Sequence, residues 1–86
     1  MTGQMEITFE PKPELLTGQC RRVYDYMVEH GSINQPEAHT ISVSRLASRI
    51  DDLHHYGFQT SWKWDKGINQ YGEPYKVKRY WLVNHG

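Results

Sequence analysis

The hydrophobic period of the chain changes once, at Gly57. Before that glycine, apolar residues recur three and four positions apart; after it they alternate, which is the step from helix to strand. In "GQCRRVYDYMVEHG", Cys20, Val23, Tyr24, Met27 and Val28 form one apolar stripe. Thr17 stands at its N-cap, His30 in the last turn and Gly31 where a left-handed C′ residue ends a helix. A second stripe, Val43, Leu46, Ala47, Ile50 and Leu53, runs up to Gly57. In "FQTSWKW", by contrast, Phe58, Thr60, Trp62 and Trp64 share a face and Gln59, Ser61 and Lys63 take the other. "YKVKRYWLV" divides in the same way into Val77, Arg79, Trp81, Val83 and Lys76, Lys78, Tyr80, Leu82. Helices followed by a pair of alternating strands leave an α+β architecture as the expectation.

The segment between the two stripes narrows this further. Ile33 has room for only a stub of strand. Asn34 and Glu37, three apart, make a capping box, and Pro36 is tolerated in a first turn because the N–H it lacks is not needed there. A short second helix therefore starts at residue 35. Thr40-Ile41-Ser42 reads as a tight turn, with Ser42 as the cap of a third helix over 43–56, and small Ala38 allows the two helices to cross closely. The strands form a hairpin over 58–83 around the loop "DKGINQYGEP", which is longer than a tight hairpin needs. Helix, strand stub, helix, helix, strand, strand is the order of a winged helix-turn-helix, three helices followed by a two-stranded wing. Residues 1–14 show no helical period. Met5, Ile7 and Phe9 alternate, so this stretch is either an extended arm that pairs with a sheet edge or a second copy, or it is disordered. Residues 15–84 form the domain.

Composition removes several function classes. At 86 residues with eleven aromatics, the chain is one small domain with enough large side chains for a core. No apolar run approaches the ~18 residues of a membrane span, so no membrane partner is expected. The single cysteine, Cys20, excludes an internal disulfide framework, fits the cytoplasm of a bacterial cell, and lies on a core stripe rather than in a nucleophile's setting. His54 and His55 are adjacent and diverge, while His30, His39 and His85 are scattered, so neither a metal nor any other cofactor is expected. Asp51-Asp52 fails as a catalytic pair by the same adjacency, and with no glycine-rich phosphate loop or nucleophile motif an enzyme is not expected. Net charge is zero, but residues 1–42 hold three basic against six acidic residues and 43–86 hold seven against four, so the halves carry −3 and +3.

With the second stripe facing inward, the third helix presents Ser44, Arg45, Ser48, Arg49 and Asp52 outward, behind Ser42 at its start. A guanidinium fork matches guanine O6/N7 or a phosphate, and short serines let a helix come close to base edges. The acids Asp51 and Asp52 come later, where they do not meet phosphates. These residues are the candidate DNA-reading set. The start of the second helix, Asn34 and Gln35, is a further candidate contact, and Lys63, Lys66, Lys76 and Lys78 on the hairpin are candidate phosphate contacts. The interleaved Trp62, Trp64, Tyr71, Tyr75 and Trp81 have two readings, platforms for unpaired bases or cross-strand core. A chain this small needs the buried area, so core is the expectation for most of them.

Three stretches, "RRVYDYMVEHGSI", "EAHTISVSRLASRIDDLHHYG" and "KRYWL", together resemble the short winged helix-turn-helix domains encoded in phages and prophages, over about Thr17 to Leu82. The resemblance implies double-stranded DNA binding with the third helix in the major groove, in a mobile-element regulator of transcription or an excisionase-like director of recombination. One such helix covers few base pairs, so a dimer or adjacent copies on repeated sites are expected. The rival expectation is a protein-interaction winged helix that grips a host protein through the aromatic hairpin or the acidic first half.

Overall fold

A computed structural model describes residues 11–83. The arm expected over 1–14 therefore lies outside the described residues up to Glu10; its end is a single 3-10 turn, Pro13–Leu15. The elements that follow are α1 (Gly18–His30), β1 (Ile33–Asn34), α2 (Gln35–Thr40), α3 (Leu46–His55), β2 (Thr60–Ile68) and β3 (Pro74–Leu82). The strand stub is real and completes a three-stranded antiparallel sheet in the order β1-β3-β2, with Ile33 beside Tyr80 and Asn34 beside Arg79.

The core lies where the helices meet the base of this sheet. Leu16, Cys20, Val23 and Met27 from the α1 side, Ile33 and Ala38, and Val43, Leu46, Ile50, Leu53 and Phe58 are all buried. Tyr24 tilts against Phe58 with ring centroids 5.1 Å apart, a distance typical of favourable aromatic pairs. Two members of the expected stripes fall outside this core. Val28 is 59% exposed, and Ala47 faces solvent beside the hairpin. α1 ends as expected: Gly31 has φ 92 and donates its N–H to the Met27 carbonyl. Burial raises the Cys20 thiol pKa, with the nearby Asp52 charge as a second cause, so the thiol is held protonated.

The start of α3 corrects the sequence expectation. The helix begins at Leu46, three residues after Val43, and Ser42 is not its cap. Ser42 has φ 63 and donates its N–H to His39 O, while Val43 donates to Ala38 O. Those two bonds, with a left-handed residue between helix and turn, are the Schellman arrangement that closes α2. Val43 buries itself against Ala38 as the usual apolar partner of that motif. Ser42 is thus the C′ residue of α2, a position more often filled by glycine. Arg45 stands at the N-cap of α3 without a side-chain capping bond. The free helix end is met instead from α2: Gln35 Oε1 accepts from Leu46 N–H at 3.0 Å, and Gln35 Nε2 donates to Val43 O at 3.2 Å.

The hairpin also differs from expectation. The strands are nine residues each and the loop between them is 69–73, half the length foreseen. Asn69 organises it, since its Oδ1 accepts from the N–H groups of Tyr71 and Glu73 at 2.9 and 3.0 Å. Cross-strand neighbours run from Thr60 beside Leu82 through Trp62 beside Tyr80 and Trp64 beside Lys78 to Ile68 beside Pro74. Only the base of the hairpin reaches the core. Farther out Trp62, Trp64 and Tyr71 are 44%, 50% and 76% exposed, which overturns the expectation that most of the hairpin aromatics are core; Tyr75 and Trp81 are half-buried.

Candidate nucleic-acid interface

The two arginines of α3 have different surroundings. Arg45 is exposed, and its side chain makes no hydrogen bond or ion pair among the described residues. Arg49 points back toward α1, where its Nε donates to Asp52 Oδ2 at 3.0 Å and its Nη1 to Gln19 Oε1 at 3.3 Å. It lines a hollow with Thr17, Gln19, Cys20, Asp52, His55 and Tyr56, and its charge is offset by Asp52. The one-turn spacing of Arg45 and Arg49 suggested a shared outward face; the late start of α3 separates them, leaving Arg45 before the helix and Arg49 against α1. Ser44 is exposed in the turn, and Ser48 is half-buried on the helix.

Asn34 and Gln35 are committed to internal contacts and do not present a polar edge outward. Asn34 is only 3% exposed. Its Oδ1 accepts from Glu37 N–H, Glu37 Oε1 accepts from Asn34 N–H, and its Nδ2 donates to Asp65 at 2.8 Å. The capping box is therefore present as read, but in a structural role, and Gln35 is spent on the α2–α3 turn.

Arg79 belongs to the same buried system. Its Nη groups donate to both carboxylate oxygens of Glu37 at 3.1 and 2.9 Å and to Ser32 Oγ at 2.8 Å, and its Nε donates to Asp65 Oδ2 at 2.9 Å. One guanidinium thereby ties β3 to α2, to β2 and to the turn after α1. The Asn34 hydrogen bond, then the Arg79 partnership, hold the Asp65 carboxyl below the usual carboxylate range, against an opposing effect of burial. Hydrogen bonding to Glu37 foremost raises the already high pKa of Arg79. This clamp was not legible as such in the sequence, where Arg79 was one more cation of a basic hairpin; its only signal was its alternation phase, opposite to Lys76 and Lys78.

The four hairpin lysines are split by the register. Lys63 lies beside Arg79 on one face, with Asp65 next along its strand. Lys66, Lys76 and Lys78 lie on the other, with Trp62 and Trp64. There Lys78 Nζ sits 4.3 Å from the Trp62 ring centroid and Lys76 Nζ 4.6 Å from that of Trp64. Contacts of this kind are worth about 0.5–1 kcal/mol at exposed sites. The two indoles meet edge to face, 5.2 Å apart at 80°. Between Thr60–Ile68 and Pro74–Leu82 this face carries no acidic side chain. At its base, a hollow lined by Gln35, Leu46, Ala47, Val77, Lys78 and Tyr80 joins the hairpin to the start of α3. Burial, then the Asp51 charge, raises the Tyr80 hydroxyl pKa there, so the phenol remains a neutral donor.

The surface that emerges runs from Ser44 and Arg45 across the hollow to Lys78, then along Trp62, Trp64, Lys76 and Lys66. A short helix pair, a helix laid beside a hairpin and a cationic hairpin face are a known combination for holding a duplex. No curated protein and no solved structure matches the chain. The family model described as "Winged helix-turn-helix domain" matches residues 18–85. That span takes in every helix and strand described above, and the chain belongs to the winged helix-turn-helix domain family, whose fold suggests DNA as its partner.

Proposed function

We propose that the protein is a sequence-preferring double-stranded DNA-binding module in which the start of α3 enters the major groove and the hairpin lies along the duplex as a wing. The observation that carries this is the free guanidinium of Arg45 at the α3 start, next in the chain to Leu46, which lines the hollow shared with Lys78. Arg45 is the base-reading group, Ser44 and Ser48 flank it, and Lys66, Lys76 and Lys78 meet phosphates. Arg49 is reassigned to positioning α3 on α1. With so few reading residues per chain, useful specificity comes from a dimer or adjacent copies on repeated sites. The biological role that fits is regulation in a phage or other mobile element, through transcription or excisionase-like control of recombination.

Selection of bound sequences from a random duplex pool, followed by titration of the selected site, tests this. Arg45→Ala is expected to cost about 1–3 kcal/mol of affinity and to relax base preference, while Lys66→Ala weakens all sequences alike. A parent chain that gives no shift on any duplex at low salt, and retains a protein from host lysate, decides instead for a protein-interaction domain. The one observation on that side is the exposure of Trp62 and Trp64.

A further inference from the structure

We infer that the outer hairpin face formed by Trp62, Trp64, Lys66, Lys76 and Lys78 is a second nucleic-acid site, one that takes unpaired nucleotides of single-stranded DNA. It shares Lys66, Lys76 and Lys78 with the wing proposed above, adds the two indoles, and does not depend on duplex recognition by α3. Three features point there together. Two of the three tryptophans of a small chain stand half in solvent, out of contact with the buried core. The strand positions of this face carry three ammonium groups and no carboxylate, so its partner is an anion. Finally, each indole has the ammonium of an exposed lysine over its ring, so the group covering the π-face is one that a phosphate attracts.

A polyanion with planar, apolar faces satisfies all three. Phosphates draw Lys76 and Lys78 off the rings, and the uncovered indoles stack on bases, a contact that tolerates any base. Trp62 and Trp64 are two residues apart on one strand and their rings meet edge to face, 5.2 Å between centroids, so a base stacks on the outer face of each ring and not between them. Their 80° angle gives the two bases different orientations, as an unstacked strand allows and a duplex does not. In a duplex the base faces are hidden in the stack, so paired DNA offers this surface only phosphates and groove edges. Lys78 borders the hollow beside α3, so an unpaired stretch on the hairpin continues outward from a duplex held there.

The experiment titrates the full chain with three ligands of equal phosphate number: oligo-dT, an abasic strand and a hairpin duplex. Indole fluorescence and the anisotropy of a labelled ligand are read together. Oligo-dT is expected to quench strongly and to bind at least about fivefold tighter than the abasic strand, the low end of what one stacked base supplies. Trp62→Ala and Trp64→Ala each remove at least that factor for oligo-dT and leave the abasic strand unaffected. Equal affinity for oligo-dT and abasic strand overturns the inference, because charge alone is then being read. No binding of oligo-dT, or duplex quenching as strong as that by oligo-dT, overturns it too. Should either alanine variant fail to fold, the parent's preference between oligo-dT and the abasic strand decides by itself. Arg45→Ala in the same series separates the two sites: it lowers duplex affinity alone if α3 reads duplex, and its failure to do so sinks the α3 reading without touching the oligo-dT result.

Discussion

Arg79 illustrates how far a residue's role depends on register. With its fork on Glu37, its Nε on Asp65 and a bond to Ser32, it ties β3 to α2, to β2 and to the turn after α1. Arg79→Ala leaves the two partly buried carboxylates of Glu37 and Asp65 without the guanidinium that bridges them. The cost expected is about 2 kcal/mol, between the value of an exposed pair and that of breaking a buried one. Arg79→Lys keeps the charge but not the fork, and about half that loss is expected; urea unfolding measures both. The pH dependence follows from Asp65. Its carboxyl pKa is lowered in the fold, so the unfolded chain binds the proton first as pH falls. The contribution is complete above the ordinary carboxylate value of about 3.9 and is lost as pH drops through the lower folded value. Asp65→Asn should therefore flatten the acid limb of the stability curve below about pH 4. An unchanged limb would mean that another carboxylate governs it.

At the scale of elements, the helices and strands were legible from period alone, because burial on one face imposes it. What period cannot supply is phase at the junctions. Ser42 followed by an apolar stripe looks like a helix cap; only the carbonyls of Ala38 and His39, which need the two bonds from Val43 and Ser42, show that α2 claims it. The same ambiguity displaced the hairpin. Setting Trp64 opposite Tyr75, as the ten-residue loop implied, shifts the pairing by an odd number from the observed Trp64 beside Lys78. An odd shift sends every side chain of one strand to the other face. The lysine–indole face was invisible for that reason, although both strands had been divided correctly into alternating sets. Its components were also masked by the expectation of core, which is sound for tryptophan in general and fails where a hairpin outruns the helices beneath it. The turn yields a prediction of its own. Ser42 holds φ 63, which costs a residue with a Cβ, so Ser42→Gly should stabilise the chain by about 0.5–1 kcal/mol. If Ser42 capped α3, the same change would be close to neutral or destabilising. Thermal melts distinguish the two signs.

For the molecule as a whole, a zero net charge seems to argue against a polyanionic partner, and the pairing pattern shows why it does not. Arg21 is matched by Asp25, Arg49 by Asp52, and Arg79 by Glu37 and Asp65, so much of the charge of both signs is cancelled within the fold. What is left on the surface running from α3 to the hairpin is Arg45, Lys66, Lys76 and Lys78. That set is small, and it bounds the electrostatics of binding. Counting all seven basic residues of 43–86 would predict a steep salt dependence; counting only these four, with Lys63 on the opposite face of the hairpin, predicts that log K falls with log salt at a slope of about −3.6, or −0.9 for each phosphate neutralised. Lys76→Ala and Lys78→Ala should each make that slope shallower by about 0.9. Arg49→Ala should leave it unchanged and lower the melting temperature instead, since that guanidinium holds α3 against α1 through Asp52 and Gln19. A parent slope near −6, or a shallower slope on loss of Arg49, would mean that the internal ion pairs open on binding and that the contact surface reaches round to the α1 side of the domain.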